Sequence, residues 1–144
     1  MTGLRAISLW QPWATAMALG LKRNETRGFQ TKHRGEIAIH AAKCWTPAQR
    51  QFAEQRRAMG EISFGLPFGA IVAVVDISAV WLTVPNAHLV CGQERDWGDY
   101  GPNRYAWATN NLRPLSEPVP CKGQQGMWTL DPAIEALVRE RISA

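Results

Sequence analysis

The segment Ala70-Ile-Val-Ala-Val-Val-Asp-Ile-Ser-Ala-Val-Trp-Leu82 is the longest strongly apolar run of the chain, interrupted at Asp76. It is too short to cross a bilayer as a helix, which takes roughly 20 apolar residues. Its β-branched content reads as a strand. Near-continuous apolarity predicts burial on both faces, as in the middle of a sheet or barrel. A chain of 144 residues can bury such a core without metals or disulfides and suits one domain over residues 1–144.

The flanking sequence supplies further elements. Arg5-Ala-Ile-Ser-Leu-Trp10 alternates in character and predicts a strand. Pro12 stands at a helix start, Trp13 to Leu19 is helix-forming, and Gly20 is a natural C-cap. The polar stretch from Lys22 to Phe29 leaves that cap as an extended segment. Gly35 to Ala42 predicts a second strand, with Ile37 and Ile39 toward the core and Ala38 and His40 on the other face. Thr46-Pro47 opens a helix to about Met59, ended by Gly60. Pro85 to Pro102 is expected to form a long loop with little regular structure. Tyr105 to Trp107, Leu112 to Val119 and Met127 to Leu130 predict three later strands. Asp131 caps a last helix from Pro132, with Ile134, Leu137 and Val138 at helical spacing. Short strands with two or three helices define an α+β domain, a small, partly closed barrel.

Composition narrows the function classes. Seven Trp against two Tyr and four Phe, with a formal net charge of +4, raise a nucleotide or nucleic-acid question without answering it. Cys44, Cys91 and Cys121 are widely spaced and form no C-x-x-C pair, which fits buried or incidental thiols in a reducing compartment. The N-terminus lacks the residue order of a signal peptide, so a soluble cytoplasmic protein without membrane contact is expected. No P-loop, dinucleotide fingerprint or zinc-ligand spacing is present, and neither a cofactor nor a metal is expected.

The densest polar cluster is Lys22, Glu25, Thr26 and Arg27. On an extended segment Glu25 and Arg27 share one side. A carboxylate beside two cations favours its ionised form and can take a proton from water or accept a base-edge N–H. Lys22 can neutralise a developing oxyanion or bind phosphate. The bland alternative is a solvated ion pair of little energetic value. Ser8, Trp10, Gln11, Pro12 and Trp13 form a polar–aromatic corner nearby, where Trp10 or Trp13 could stack on a base or fill the core. Ser8 lacks a G-x-S-x-G elbow, which argues against a serine hydrolase. His40 ends a strand and is read either as a base or binder, or as a satisfied structural histidine. Glu94, Asp96 and Asp99, with Arg104 and Tyr105, form a second polar group among Trp97, Tyr100 and Trp107. Such a loop could close over a nucleoside and supply an acid or base.

These residues resemble the ASCH domain family. Ser8-Leu-Trp-Gln-Pro-Trp-Ala14, the G-x-K-x-x-E-x-R element at Gly20, Lys22, Glu25 and Arg27, and Arg34-Gly-Glu-Ile-Ala-Ile-His-Ala-Ala42 carry the likeness. Gly98-Asp-Tyr, Arg104-Tyr-Ala-Trp107, Pro118-Val-Pro120 and Lys122-Gly-Gln-Gln-Gly-Met-Trp128 extend it over most of the chain. The resemblance implies a PUA-like β-barrel with flanking helices and a cleft where the G-x-K-x-x-E-x-R segment meets the barrel. It also implies binding of RNA or modified nucleosides. One branch of the family hydrolyses N4-acetylcytidine to cytidine and acetate with a Lys, a Thr three residues later and a more distant Glu. Lys22 matches the Lys, Glu25 occupies the Thr position, and Thr26 follows it. Glu94 and Asp99 match the distant Glu by region only.

The resulting expectation is a metal-independent amidohydrolase acting on N4-acylcytidine-type nucleosides. Lys22 and Glu25 are the catalytic pair, and water or Thr26 is the nucleophile. Arg27, Trp10, Gln11, Pro12, Trp13, Ser8, His40, Asp99 and Tyr105 are the expected substrate contacts. The alternatives are a non-catalytic module for RNA or a modified nucleoside and, less favoured, a ribonuclease using Lys22, Glu25 and His40.

Overall fold

The computed structural model describes residues 3–142, the side chain of Pro85 excepted, so the two ends of the expected 1–144 span lie outside the described residues. Apolar strands and two capped helices assemble as a mixed α+β fold. Strands β1 (Arg5–Leu9), β2 (Asn24–Arg27), β3 (Gly35–Ala41), β4 (Ala70–Leu82), β5 (Tyr105–Pro120) and β6 (Met127–Thr129) lie in the order β2-β5-β4-β3-β1-β6. Only β1 and β3 run parallel; the other neighbours are antiparallel. The sheet curls into a PUA-like half-barrel with helices α1 (Trp13–Ala18), α2 (Pro47–Ala58), α3 (Gly92–Asp96) and α4 (Pro132–Ile142).

Both faces of the sheet are covered. Inside the curl, Ile7, Leu9, Ile37, Ile39, Val75 and Trp107 pack with Ala14 and Met17 of α1. On the opposite face, Ala6, Ala38, Ile71, Val74, Val119 and Trp128 pack with Val138 of α4. This explains why Ala38 and His40, placed on the face away from Ile37 and Ile39, are buried as well. The double burial expected of 70–82 holds for Ala70 to Val75. Beyond Ile77 the strand outruns β3 and keeps only β5 as a partner, so Ser78, Ala79 and Leu82 are exposed.

Two expectations are corrected. The strands expected at 105–107 and 112–119 are one strand, β5. The polar stretch between them is carried through by register shifts against β4, with Asn111 at φ 53°. Extra residues accommodated in this way deepen the twist of a sheet and help it curl. The segment 85–102 is also more regular than expected. It contains two short turns, Thr83–Asn86 and Ala87–Leu89, and then α3. Cys44 and Cys91 are exposed and Cys121 is partly buried. Among the described residues no helix is long and apolar enough to cross a membrane.

Candidate functional site

The site begins at the end of α1. Gly20, at φ 79°, donates to the carbonyl of Met17, and Leu21 donates to that of Ala16. This paired C-cap uses glycine's access to positive φ to reverse the chain. Lys22 leaves the turn with its amide also on the Ala16 carbonyl. The next two amides, Arg23 and Asn24, are held by the Glu94 carboxylate at 2.8–3.1 Å. From there β2 pairs with β5, Glu25 opposite Trp107 and Arg27 opposite Tyr105.

Lys22 is 2% exposed. Its Nζ lies 3.2 Å from Glu25 Oε1 and donates to the Asn24 carbonyl. Glu25 Oε2 faces Arg27 Nε at 2.8 Å, and Arg27 Nη2 donates to the backbone carbonyl of Ser8. Glu25 is thus clasped by two cations. Arg27 in turn ties edge strand β2 to β1, its distant neighbour across the curl. The arrangement is the desolvated alternative, not a solvated surface pair: Lys22 gives up water and gains a carboxylate and a carbonyl in return.

The opposite wall comes from the segment before β5. Arg104 donates through Nη2 to the Thr26 carbonyl at 2.8 Å and through Nε to the Asp99 carbonyl at 3.1 Å. Asp99 N–H donates to Thr26 Oγ1 at 3.2 Å. Thr26 therefore turns away from Glu25, as strand alternation requires. An aromatic stack closes one end. Trp13 lies flat on Phe52 with centroids 5.0 Å apart, and Phe52 meets Trp97 edge-on at 5.1 Å. The Arg56 guanidinium stands 4.6 Å from the Phe52 centroid. Trp97 is fully buried, and its indole N–H has no partner among the described residues.

Between these walls lies a cleft of about 640 Å³. That size suits a nucleoside-sized ligand. Of the residues singled out from sequence, Ser8, Trp10, Trp13, Lys22, Glu25, Thr26, Arg27, Asp96, Trp97, Asp99 and Arg104 line it. Gln11, Pro12, His40, Glu94 and Tyr105 lie outside its lining. Gln11 is buried, bonded to Thr15 and to the Pro67 carbonyl. Pro12 is the N-cap residue of α1, and Tyr105 packs against the inner core. His40 is buried on the far face of the sheet. Its Nε2 donates to the Cys121 carbonyl at 2.8 Å, so Nδ1 accepts from the Ser8 hydroxyl at 2.9 Å. Burial lowers its pKa, which keeps the imidazole neutral. Phe52 was not singled out from sequence; its one signal is an aromatic residue in an otherwise polar helix, PAQRQFAEQRRA. Among the described residues no three His, Cys, Asp or Glu side chains converge as a metal site.

A curled six-stranded half-barrel with a charged, aromatic-walled cleft at its β2 edge has the PUA-like fold. The chain belongs to the ASCH domain family, which matches residues 7–114. It is 27% identical over 135 residues to Activating signal cointegrator 1 of Homo sapiens and, equally, of Mus musculus. That alignment covers 89% of this chain and 22% of each relative, so the chain spans about a fifth of their length. The crystal structure of ASCH from Zymomonas mobilis is similar at TM-score 0.57 and 16% identity, covering 96% of this chain and 94% of that one. A serine-to-alanine variant of the same protein gives TM-score 0.58 at 15% identity, with 96% and 95% covered.

Proposed function

We propose that the cleft hydrolyses the N4-acyl amide of cytidine-type nucleosides, releasing cytidine and a carboxylic acid. The observation that carries this reading is the buried Lys22 ammonium paired with Glu25 on the cleft wall. Water attacks the amide carbon while Glu25 takes its proton. Lys22 has a third N–H, not spent on Glu25 or Asn24, to donate to the developing oxyanion. Collapse breaks the C–N bond, and the N4 amine recovers the proton from Glu25. Water is the only co-reactant, and the step needs no metal or cofactor. Thr26 is less suited as nucleophile, because its hydroxyl belongs to the wall opposite Lys22 and Glu25 and already accepts from Asp99 N–H. Arg27, Trp10 and Trp13 hold the base and sugar in this reading, which their place in the cleft lining supports. The test is incubation with N4-acetylcytidine, with cytidine and acetate followed by chromatography. Turnover that Lys22→Met and Glu25→Gln both abolish is the expected result; no turnover by the unaltered protein would sink the reading.

A second reading is a module that binds RNA or a modified nucleoside without chemistry. It is supported by the engagement of both Glu25 oxygens in ion pairs, which leaves neither free to take a proton without giving up a cation. A ligand held by phosphate contacts would lose affinity steeply with salt, whereas a nucleoside in the cleft would not. The ribonuclease alternative has less support, since His40 lies outside the cleft lining.

A further inference from the structure

Resting on the reading of the cleft as a site of amide hydrolysis, we propose that the acyl group of the substrate lodges in a second cavity beside Lys22. The acyl group preferred there is an apolar chain longer than acetyl.

The second cavity, of about 340 Å³, lies between the end of α1 and the middle of β5. Met17 and Val75 of the inner core line it, together with Leu112, which packs against that core. A bulge in β5 makes the room. Asn111 and Leu112 face the single Val75 between the paired positions Val74–Arg113 and Asp76–Asn110. A bulge of this kind re-aims side chains, and bulges recur beside active sites. Across from it Gly20 presents no side chain; a Cβ there would stand 3.7 Å from Leu112 Cδ2. Thr109 N–H donates to the Arg23 carbonyl at 3.1 Å, which ties the turn after α1 to β5.

Lys22 is the residue that the linings of the cleft and of this cavity share. An oxyanion donor has to stand at the scissile carbonyl. With the nucleoside in the cleft, the acyl chain leaves that carbonyl on the side away from N4, and past Lys22 it meets the cavity. An acetyl methyl would leave most of this space unfilled. Each further methylene laid on Met17, Val75 and Leu112 is removed from water. When the C–N bond breaks, the chain departs as a carboxylate. Arg23 is exposed on the same lining and makes no ion pair with a carboxylate among the described residues, so a cation stands free at the side where that anion leaves.

The test compares kcat/KM for N4-acetyl-, N4-butanoyl- and N4-hexanoylcytidine, with cytidine release followed by chromatography. Each buried methylene is worth about four-fold, so kcat/KM should rise about fifteen-fold from acetyl to butanoyl. Leu112→Trp, which fills the cavity, should abolish that gain. Leu112→Ala, which widens it, should move the optimum toward hexanoyl. Thermal melting checks that each variant is folded. A gain that the two variants shift in opposite senses upholds the acyl cavity. Acetyl turned over with no gain along the series overturns it and leaves the hydrolytic cleft standing. A gain that neither folded variant alters also overturns it, because the chain then lies elsewhere. No turnover of any member of the series overturns the cavity and the amidohydrolase together.

Discussion

Lys22 and Glu25 meet at 3.2 Å in the cleft, with only 1% of the lysine side chain exposed. The pair is arranged before any ligand arrives, because Lys22 is fixed by the turn after α1 and Glu25 by pairing of β2 with β5. Preorganised charge costs no reorientation when charge develops in a transition state.

Glu25→Gln removes the proton acceptor and keeps an oxygen toward Lys22. Lys22→Met removes the oxyanion donor and leaves Glu25 its Arg27 partner. Each is expected to lower kcat on N4-acetylcytidine by about 10²-fold or more. Glu25→Gln should melt near the unaltered protein, whereas Lys22→Met tests how far the buried pair supports the fold. Cytidine release at saturating substrate reads the first quantity and calorimetry the second. Retention of most activity by either variant contradicts its assigned role.

Glu94 acts one step back from the site. Its carboxylate holds the amides of Arg23 and Asn24, and those bonds set where Lys22 lies relative to Glu25. Glu94→Ala is expected to cost about 1.5 kcal/mol of stability, the lower side for a hydrogen bond to a charged group, because Glu94 is only half-buried. It should also lower kcat by roughly ten-fold while KM moves less, because a small misplacement of reacting groups is costly. Glu94→Gln keeps one acceptor oxygen and should recover part of the loss. A change in KM alone would place Glu94 in substrate contact instead.

On the far side of the sheet Glu36 joins two arginines. Arg139 of α4 donates to it at 2.7 and 2.9 Å, and Arg113 of β5 at 2.8 Å. Hydrogen bonding from Arg139 is the main cause that holds the Glu36 carboxyl below its ordinary value of 4.5. A carboxyl so lowered contributes stability above that ordinary value and loses it as pH falls through the lower folded value. The melting temperature should therefore decline more steeply below about pH 4.5 in the unaltered protein than in Glu36→Gln. The group is partly exposed, so molar salt should shrink the difference. Parallel acid profiles for the two proteins would remove Glu36 as a pH-dependent clamp on α4.

How much of this could be read from the residues alone depended on whether the signal was local. The Lys22–Arg27 cluster was legible because a C-cap glycine and strand parity fix its geometry within a few positions. Thr46 with Pro47 was legible in the same way as the start of α2, and the structure adds the reciprocal bond between Thr46 and Gln49. Phe52 was not, because it reaches the cleft through its stack on Trp13 from a different helix. Glu94 was visible as a charge near the site, but its use as a backbone clamp needs the chain to fold back on a residue 71 positions earlier. The unity of β5 was hidden by Thr109-Asn110-Asn111, which reads as a turn until β4 supplies partners on both sides of it. His40 sits on the face opposite the cleft because β3 is covered on both sides, which alternation alone could not reveal.

Gly123 closes over that histidine. A Cβ at this position would stand 2.6 Å from His40 Cε1 and 2.9 Å from Ser8 Oγ. The ring cannot yield easily, held by the Cys121 carbonyl and packed edge-on against Trp128 at 5.6 Å. Gly123→Ala should therefore cost about 1–3 kcal/mol, as overpacking does, in urea denaturation at neutral pH. His40 itself adds a pH dependence. Burial lowers its pKa, so its contribution is complete above the ordinary value of 6.5 and is lost as pH falls toward the folded value. The unaltered protein should lose stability between pH 7 and pH 5, and His40→Gln, lower throughout, should show a flatter profile over that range. Hydrolysis by either variant, measured where it remains folded, should stay close to that of the unaltered protein, because the ring does not line the cleft. A large fall in kcat with stability intact would instead place His40 in the chemistry and bring the ribonuclease reading forward.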